Sequence, residues 1–75
     1  MAMKYSIRQG KFKHRFEIDW NEQDPLLAGR WCWENFGQPT KTWFRRGIRN
    51  AELDYTWYFY FVNEKEANAF ALKWA

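Results

Sequence analysis

Residues 55–61 read Tyr-Thr-Trp-Tyr-Phe-Tyr-Phe, six aromatic rings in seven positions. Side chains of a β-strand alternate between the two faces of a sheet, so this segment, as a strand, carries rings on both. A small domain has one core, and only one face can look into it. With Trp57, Phe59 and Phe61 packed inward against Phe70 and Trp74, the rings of Tyr58 and Tyr60, with Thr56, are left on the other side. The question for function is what that second face touches.

The chain has 75 residues, the size of one domain. A chain this short buries only about 60% of its unfolded surface, so it needs large side chains or a partner. Aromatic residues make up 23% of the sequence, with six Trp, four Tyr and seven Phe. Each buried ring removes about 150–250 Å² from water, a composition that excludes a disordered chain. The rings also exceed what two short helices and a sheet can hide. Some are therefore expected at the surface, where exposed aromatic patches mark contacts.

The chain has a single cysteine, Cys32, so neither an intrachain disulfide nor a Cys-based metal cluster is available. A buried, reduced thiol is expected. No run approaches the ~18 apolar residues of a membrane span, and the N-terminal residues lack the apolar stretch of a signal peptide. Cytoplasmic residence without membrane contact is the resulting expectation. The net charge of +3 is compatible with nucleic acid without demanding it.

Period-two alternation places Phe12, His14, Phe16, Ile18 and Trp20 on one side and Lys13, Arg15, Glu17 and Asp19 on the other, a half-buried strand. Tyr5 and Ile7 alternate in the same way before it. A two-residue turn at Gln9-Gly10 would pair Ile7 with Phe12 and Tyr5 with His14, all on the core face; one long strand with a glycine bulge is the alternative. Asp24-Pro25 then opens a helix as N-cap and first helical residue, and Gly37 closes it with Pro39 beyond. Ala28, Trp31, Cys32 and Phe36 form its central apolar arc, which Leu26, Leu27 and Trp33 widen, leaving Arg30 and Glu34 to water. So wide a stripe implies deep burial or a second contact surface.

Residues 41–49 and 52–62 form a second hairpin around Asn50-Ala51. Asn63, with Glu66 as a capping-box partner, starts a last helix whose buried stripe is Ala67, Phe70, Ala71 and Trp74. The order is ββαββα, an α+β fold with a four-stranded antiparallel sheet and two helices packed on one face. Strand, then Asn-Glu, then helix occurs at 18–22 and again at 60–64, either by duplication or by repeated helix-start chemistry.

On the bare face of that sheet, the strand over 41–49 has two possible registers. If Phe44 and Ile48 point inward, so does Arg46, and Trp43, Arg45 and Arg49 join Tyr58, Tyr60, Lys13 and Arg15 outside. The opposite register buries Trp43 together with Arg45. In the first case the outer face is aromatic and basic. Such a face suits a protein interface or homodimer, where Tyr, Trp and Arg concentrate. It also suits a single-stranded nucleic-acid module that stacks bases on rings. The plainer reading is that Tyr and Trp raise strand stability through cross-strand pairs.

Catalytic chemistry has little to stand on. His14 falls on the apolar side of its strand and reads as a satisfied core residue, since a metal site would need further His or Cys ligands. Asp19, Glu22 and Asp24 cluster where carboxylates complement a helix start, without the spacing of a calcium loop. Cys32 sits mid-helix and core-facing, a poor position for a nucleophile. Arg45, Arg46 and Arg49 make the densest basic spot. The glycines are isolated, so no phosphate loop forms. A non-enzymatic protein with no cofactor or metal is expected.

The tail from Phe59-Tyr60-Phe61-Val62-Asn63-Glu64-Lys65-Glu66-Ala67 through Phe70, Leu72, Lys73 and Trp74 resembles the C-termini of small uncharacterised tailed-bacteriophage proteins. Those also end in an aromatic strand, an acidic helix start, and Ala, Phe, Leu and a basic residue before a final Trp. The resemblance implies a viral accessory protein or inhibitor that binds a host or viral macromolecule, in the host cytoplasm. It carries no site residues with it.

Overall fold

The computed structural model describes residues 3–19, 24–49 and 55–74. Its elements are β1 (Lys4–Ile7), β2 (His14–Asp19), α1 (Pro25–Phe36), β3 (Trp43–Arg49), β4 (Tyr55–Phe61) and α2 (Glu64–Trp74). The strands form one antiparallel sheet in the order β1-β2-β4-β3, so the second hairpin lies beside the first with β2 and β4 in the centre. Ala28 and Cys32 of α1 join Ala67 and Phe70 of α2 in one buried cluster with Phe16, Ile18, Trp43, Phe59 and Phe61. Both helices therefore cover the same face, as the ββαββα pattern predicts.

The first hairpin differs from its expected pairing. Tyr5 pairs with Phe16 and Ile7 with His14, two residues along from the expected partners, so a wider loop replaces the two-residue turn. The Arg8 N–H donates to the Lys13 carbonyl at 2.7 Å and closes that loop, and Gly10 supplies its positive φ of 99°. A shift of two keeps every side chain on its side of the sheet. Tyr5 and Ile7 nevertheless remain exposed, because they lie on the outermost strand, at the margin of the core.

The helix signals behave as read. Asp24 Oδ1 accepts from the Leu26 N–H at 2.8 Å, with Pro25 in the first turn. At the other end the Gly37 N–H donates to the Trp33 carbonyl, and its φ of 89° is open to glycine without strain. Trp31 and Phe36 pack against the core beside Ala28 and Cys32. Leu26, Leu27 and Trp33 stay exposed, so the widened part of the stripe is surface. The α2 stripe is also as expected: Ala67 and Phe70 are buried, and Ala71 and Trp74 lie against the cluster. The capping-box bond from Glu66 is not made by Oε1, which is buried with no hydrogen-bond partner. The turn at Asn50-Ala51 and the residues Trp20 to Glu22 lie outside the described residues.

β3 takes the register that buries Trp43. Trp43 faces Phe61, Arg45 faces Phe59 and Gly47 faces Trp57 across the pair with β4, all on the helix side. The Trp43 indole lies parallel to the Phe59 ring, 8° from it at 6.4 Å, and its Nε1–H donates to the Gly37 carbonyl at 2.9 Å. Burying a Trp without a partner for its N–H would cost free energy, and the Gly37 carbonyl removes that cost. Gly47 leaves room for Trp57: a Cβ there would sit 3.1 Å from two indole carbons. Gly47→Val should therefore destabilise the domain by about 1–3 kcal/mol through overpacking. Urea unfolding read by tryptophan fluorescence checks this, and a variant as stable as the parent would contradict the packing.

The order β1-β2-β4-β3 is unchanged when the two hairpins are exchanged end for end, an approximate twofold in the topology. The sequence echo does not follow it. Aligning 18–22 with 60–64 superposes Ile18, which is core, on Tyr60, which faces away from the helices.

Candidate functional site

Alternation along the paired strands gathers Lys4, Ser6, Arg15, Glu17, Phe44, Arg46, Ile48, Thr56, Tyr58 and Tyr60 on the side without helices. Its centre is a stripe of rings. Phe44 and Tyr60 are direct cross-strand neighbours, with centroids 4.4 Å apart and planes 5° apart. Phe12 meets Phe44 edge-on at 4.8 Å, and Tyr58 tilts against Tyr60 at 6.4 Å. The Arg15 guanidinium lies 4.7 Å from the centre of the Tyr58 ring, and its Nε donates to the Ser6 hydroxyl at 3.1 Å. A cation held over a ring in this way contributes about 0.5–1 kcal/mol at a partly exposed site. All four rings of the stripe are half-buried.

The seven residues expected to form this face divide. Tyr58, Tyr60 and Arg15 lie on it as predicted. Trp43, Arg45 and Arg49 do not: the register of β3 turns them to the helix side, where Trp43 is core. Arg45 reaches past the sheet, with Nη1 donating to the Pro25 carbonyl at 3.1 Å and the guanidinium 5.4 Å from the Trp57 ring centre. An arginine can share the core side because its stem packs while its head reaches polar groups. Lys13 lies in the loop before β2 and is exposed.

Phe12 was expected on the other side, as were Phe44, Arg46 and Ile48 in the first of the two registers, and all four belong to the outer face or its rim. Gly47 was the available signal for β3. A glycine facing a bulky cross-strand Trp places its own alternation set, Trp43 and Arg45, on the Trp57 side. Phe12 had no comparable signal. Its alternation with His14 continues in sequence, but the chain leaves the sheet before it, and the ring packs on Phe44 instead.

The reactive side chains are held in the interior. Cys32 is fully buried, and its thiol pKa is pushed up to about 12 by desolvation, then by the nearby Glu66 carboxylate, with Arg45 opposing. A thiol kept protonated in this way is not a nucleophile at neutral pH. His14 is satisfied on one nitrogen only: Nδ1 lies 2.7 Å from the Tyr5 hydroxyl, and Nε2 is buried without a hydrogen-bond partner. Asp24 is occupied as the α1 cap, while Glu22 and the Asp19 side chain lie outside the described set. Among the described residues no group of three or more His, Cys, Asp or Glu is arranged to hold a metal ion, and no helix is long and apolar enough to cross a membrane.

No family model, curated protein or solved structure matches this chain.

Proposed function

We propose that this is a small non-enzymatic binding protein that engages a protein partner through the outer face of its sheet, a second copy of the chain being one such partner. The observation that carries this reading is the Phe12–Phe44–Tyr60–Tyr58 stripe, left uncovered because both helices lie on the opposite side. Tyr and Arg at the centre of a flat surface are the residues that dominate protein interfaces. The finer form of the reading is a viral accessory protein or inhibitor acting in a host cytoplasm, and it is supported by the resemblance of the C-terminal segment.

The alternative, stacking of single-stranded nucleic acid, needs ring faces open to bases. Here Phe44 and Tyr60 already lie face to face, and Arg15 covers one face of Tyr58. The basic charge is also differently placed from what the sequence suggested: Arg46 stands on this face in place of Arg45 and Arg49, and Glu17 lies beside Tyr58.

Pull-down from a host lysate with and without nuclease, run beside light scattering of the purified chain, separates these outcomes. A specific partner, or a concentration-dependent dimer, should persist after nuclease treatment. Tyr58→Ser or Tyr60→Ser should weaken it by about tenfold or more, the effect of a hot-spot residue. Capture that disappears with nuclease would replace this reading with nucleic-acid binding. A monomer whose contacts ignore both substitutions would remove the outer face from consideration.

A further inference from the structure

A second surface runs along the free edge of β3. The Val62 N–H donates to the Thr42 carbonyl at 2.9 Å, so alternation directs the backbone bonds of Phe44, Arg46 and Ile48 toward β4. Trp43, Arg45, Gly47 and Arg49 then turn their N–H and C=O groups outward. The Trp43 carbonyl accepts from the Thr40 N–H at 2.6 Å, but Arg45 and Gly47 have no backbone partner among the described residues. An edge of this kind is a template for another strand.

Beside the edge, α1 presents Leu26, Arg30 and Trp33 at i, i+4, i+7 spacing. Leu26 and Trp33 are 56% and 51% exposed, the widened flank of the helix stripe that the core leaves uncovered. Between this flank and β3 runs an open groove of about 520 Å³. Arg30 and Arg45 line it, and among the described residues no carboxylate does. Arg30 meets a solvent-exposed Glu34 at 4.0 Å, a contact of little strength. Arg46 stands on the other face of the same edge.

We propose that the β3 edge and this groove take an extended acidic segment of a partner protein as a fifth strand. Charge selects the occupant. A second copy of β3 would bring its three arginines alongside Arg45, Arg46 and Arg49, and this crowding of like charge disfavours pairing. For an acidic strand the same charges attract. Residues of the added strand opposite Arg45 and Gly47 would point to the helix side, where aliphatic side chains would cover Leu26 and Trp33. The intervening residues would face outward, where glutamate meets Arg46. Backbone bonds supply affinity and the alternating side chains supply selectivity, the logic of strand addition.

The probe is a short capped peptide of alternating valine and glutamate, titrated into the isotope-labelled full chain. Binding should shift the Arg45 and Gly47 amide resonances and slow their hydrogen exchange, and it should weaken with salt. N-methylation of the two peptide amides that face β3 removes two hydrogen bonds and should cost about tenfold or more in affinity. Arg46→Glu should weaken binding, and a valine–lysine peptide should not bind. Absence of binding, equal binding of the N-methylated peptide, or shifts confined to Tyr58 and Tyr60 would each overturn the proposal.

Discussion

Phe70→Ala should remove about 3–5 kcal/mol, a large fraction of the stability of this chain. Phe70 is fully buried at the point where both helices meet the sheet, with ring centroids 5.3 Å from Phe16, 5.0 Å from Phe59 and 5.1 Å from Phe61. It also lies 6.1 Å from Trp31 and 6.4 Å from Trp74. Truncating a buried Phe to Ala costs about 3–5 kcal/mol in transfer and cavity terms. A domain of this length has roughly 4–11 kcal/mol of stability in total, at about 0.05–0.15 kcal/mol per residue. Rings that lose their common neighbour have no other element to collapse onto, so the loss should sit at the upper end. Leu72→Ala on the same helix, at 88% exposed, should change stability by no more than about 0.5 kcal/mol. Urea titration followed by far-UV circular dichroism compares the two. A Phe70→Ala protein within about 1.5 kcal/mol of the parent would mean that the core is not organised around this ring.

The second large effect is alkaline destabilisation through Cys32. Its pKa rises from 9.0 to about 12 on folding, by desolvation first and the Glu66 charge second. Between those values the unfolded chain has lost the thiol proton and the folded chain keeps it. The unfolded state binds fewer protons there, so stability falls as pH rises. Stability is unaffected by this group below pH 9 and falls by about 1.4 kcal/mol per pH unit above it, a total loss of roughly 4 kcal/mol by about pH 12. Tyrosines and lysines titrate in the same range, so the comparison is with Cys32→Ala, which lacks this slope. Chemical unfolding of both proteins at a series of pH values should show the parent losing stability faster above pH 9. Parallel curves would mean that the thiol ionises as readily in the fold as in water. A thiol reagent gives an independent readout: it should label Cys32 only as fast as the chain unfolds.

Much of the architecture was legible because local chemistry and tertiary packing agree. Asp24-Pro25 and Gly37 bracket α1 because capping satisfies backbone groups wherever the helix sits. The α2 stripe of Ala67, Phe70, Ala71 and Trp74 needed only the helical period. Face assignment in β4 was also legible, because Trp57, Phe59 and Phe61 alternate with residues that carry hydroxyls.

The candidate site was legible only in part, and β3 shows why. Alternation separates Trp43, Arg45, Gly47 and Arg49 from Phe44, Arg46 and Ile48, but it does not say which set meets the helices. Each set holds a large aromatic and at least one arginine, so hydrophobicity leaves them nearly balanced. Contacts distant in sequence break the tie: Gly37 accepts from the Trp43 indole, Pro25 accepts from Arg45, and Trp57 occupies the space above Gly47.

Residue type and spacing were enough for the order of elements, the ends of α1 and the buried rings of β4 and α2. The tertiary structure alone decided the strand order β1-β2-β4-β3, the side that Trp43 takes and the route of Phe12 to the outer face. Those choices depend on which buried polar groups find partners and which rings find space, and both are settled between residues far apart in the chain. The surplus rings of residues 55–61 are thereby joined by Phe44 and Phe12, whereas Arg45 and the open edge of β3 belong to a separate surface beside α1.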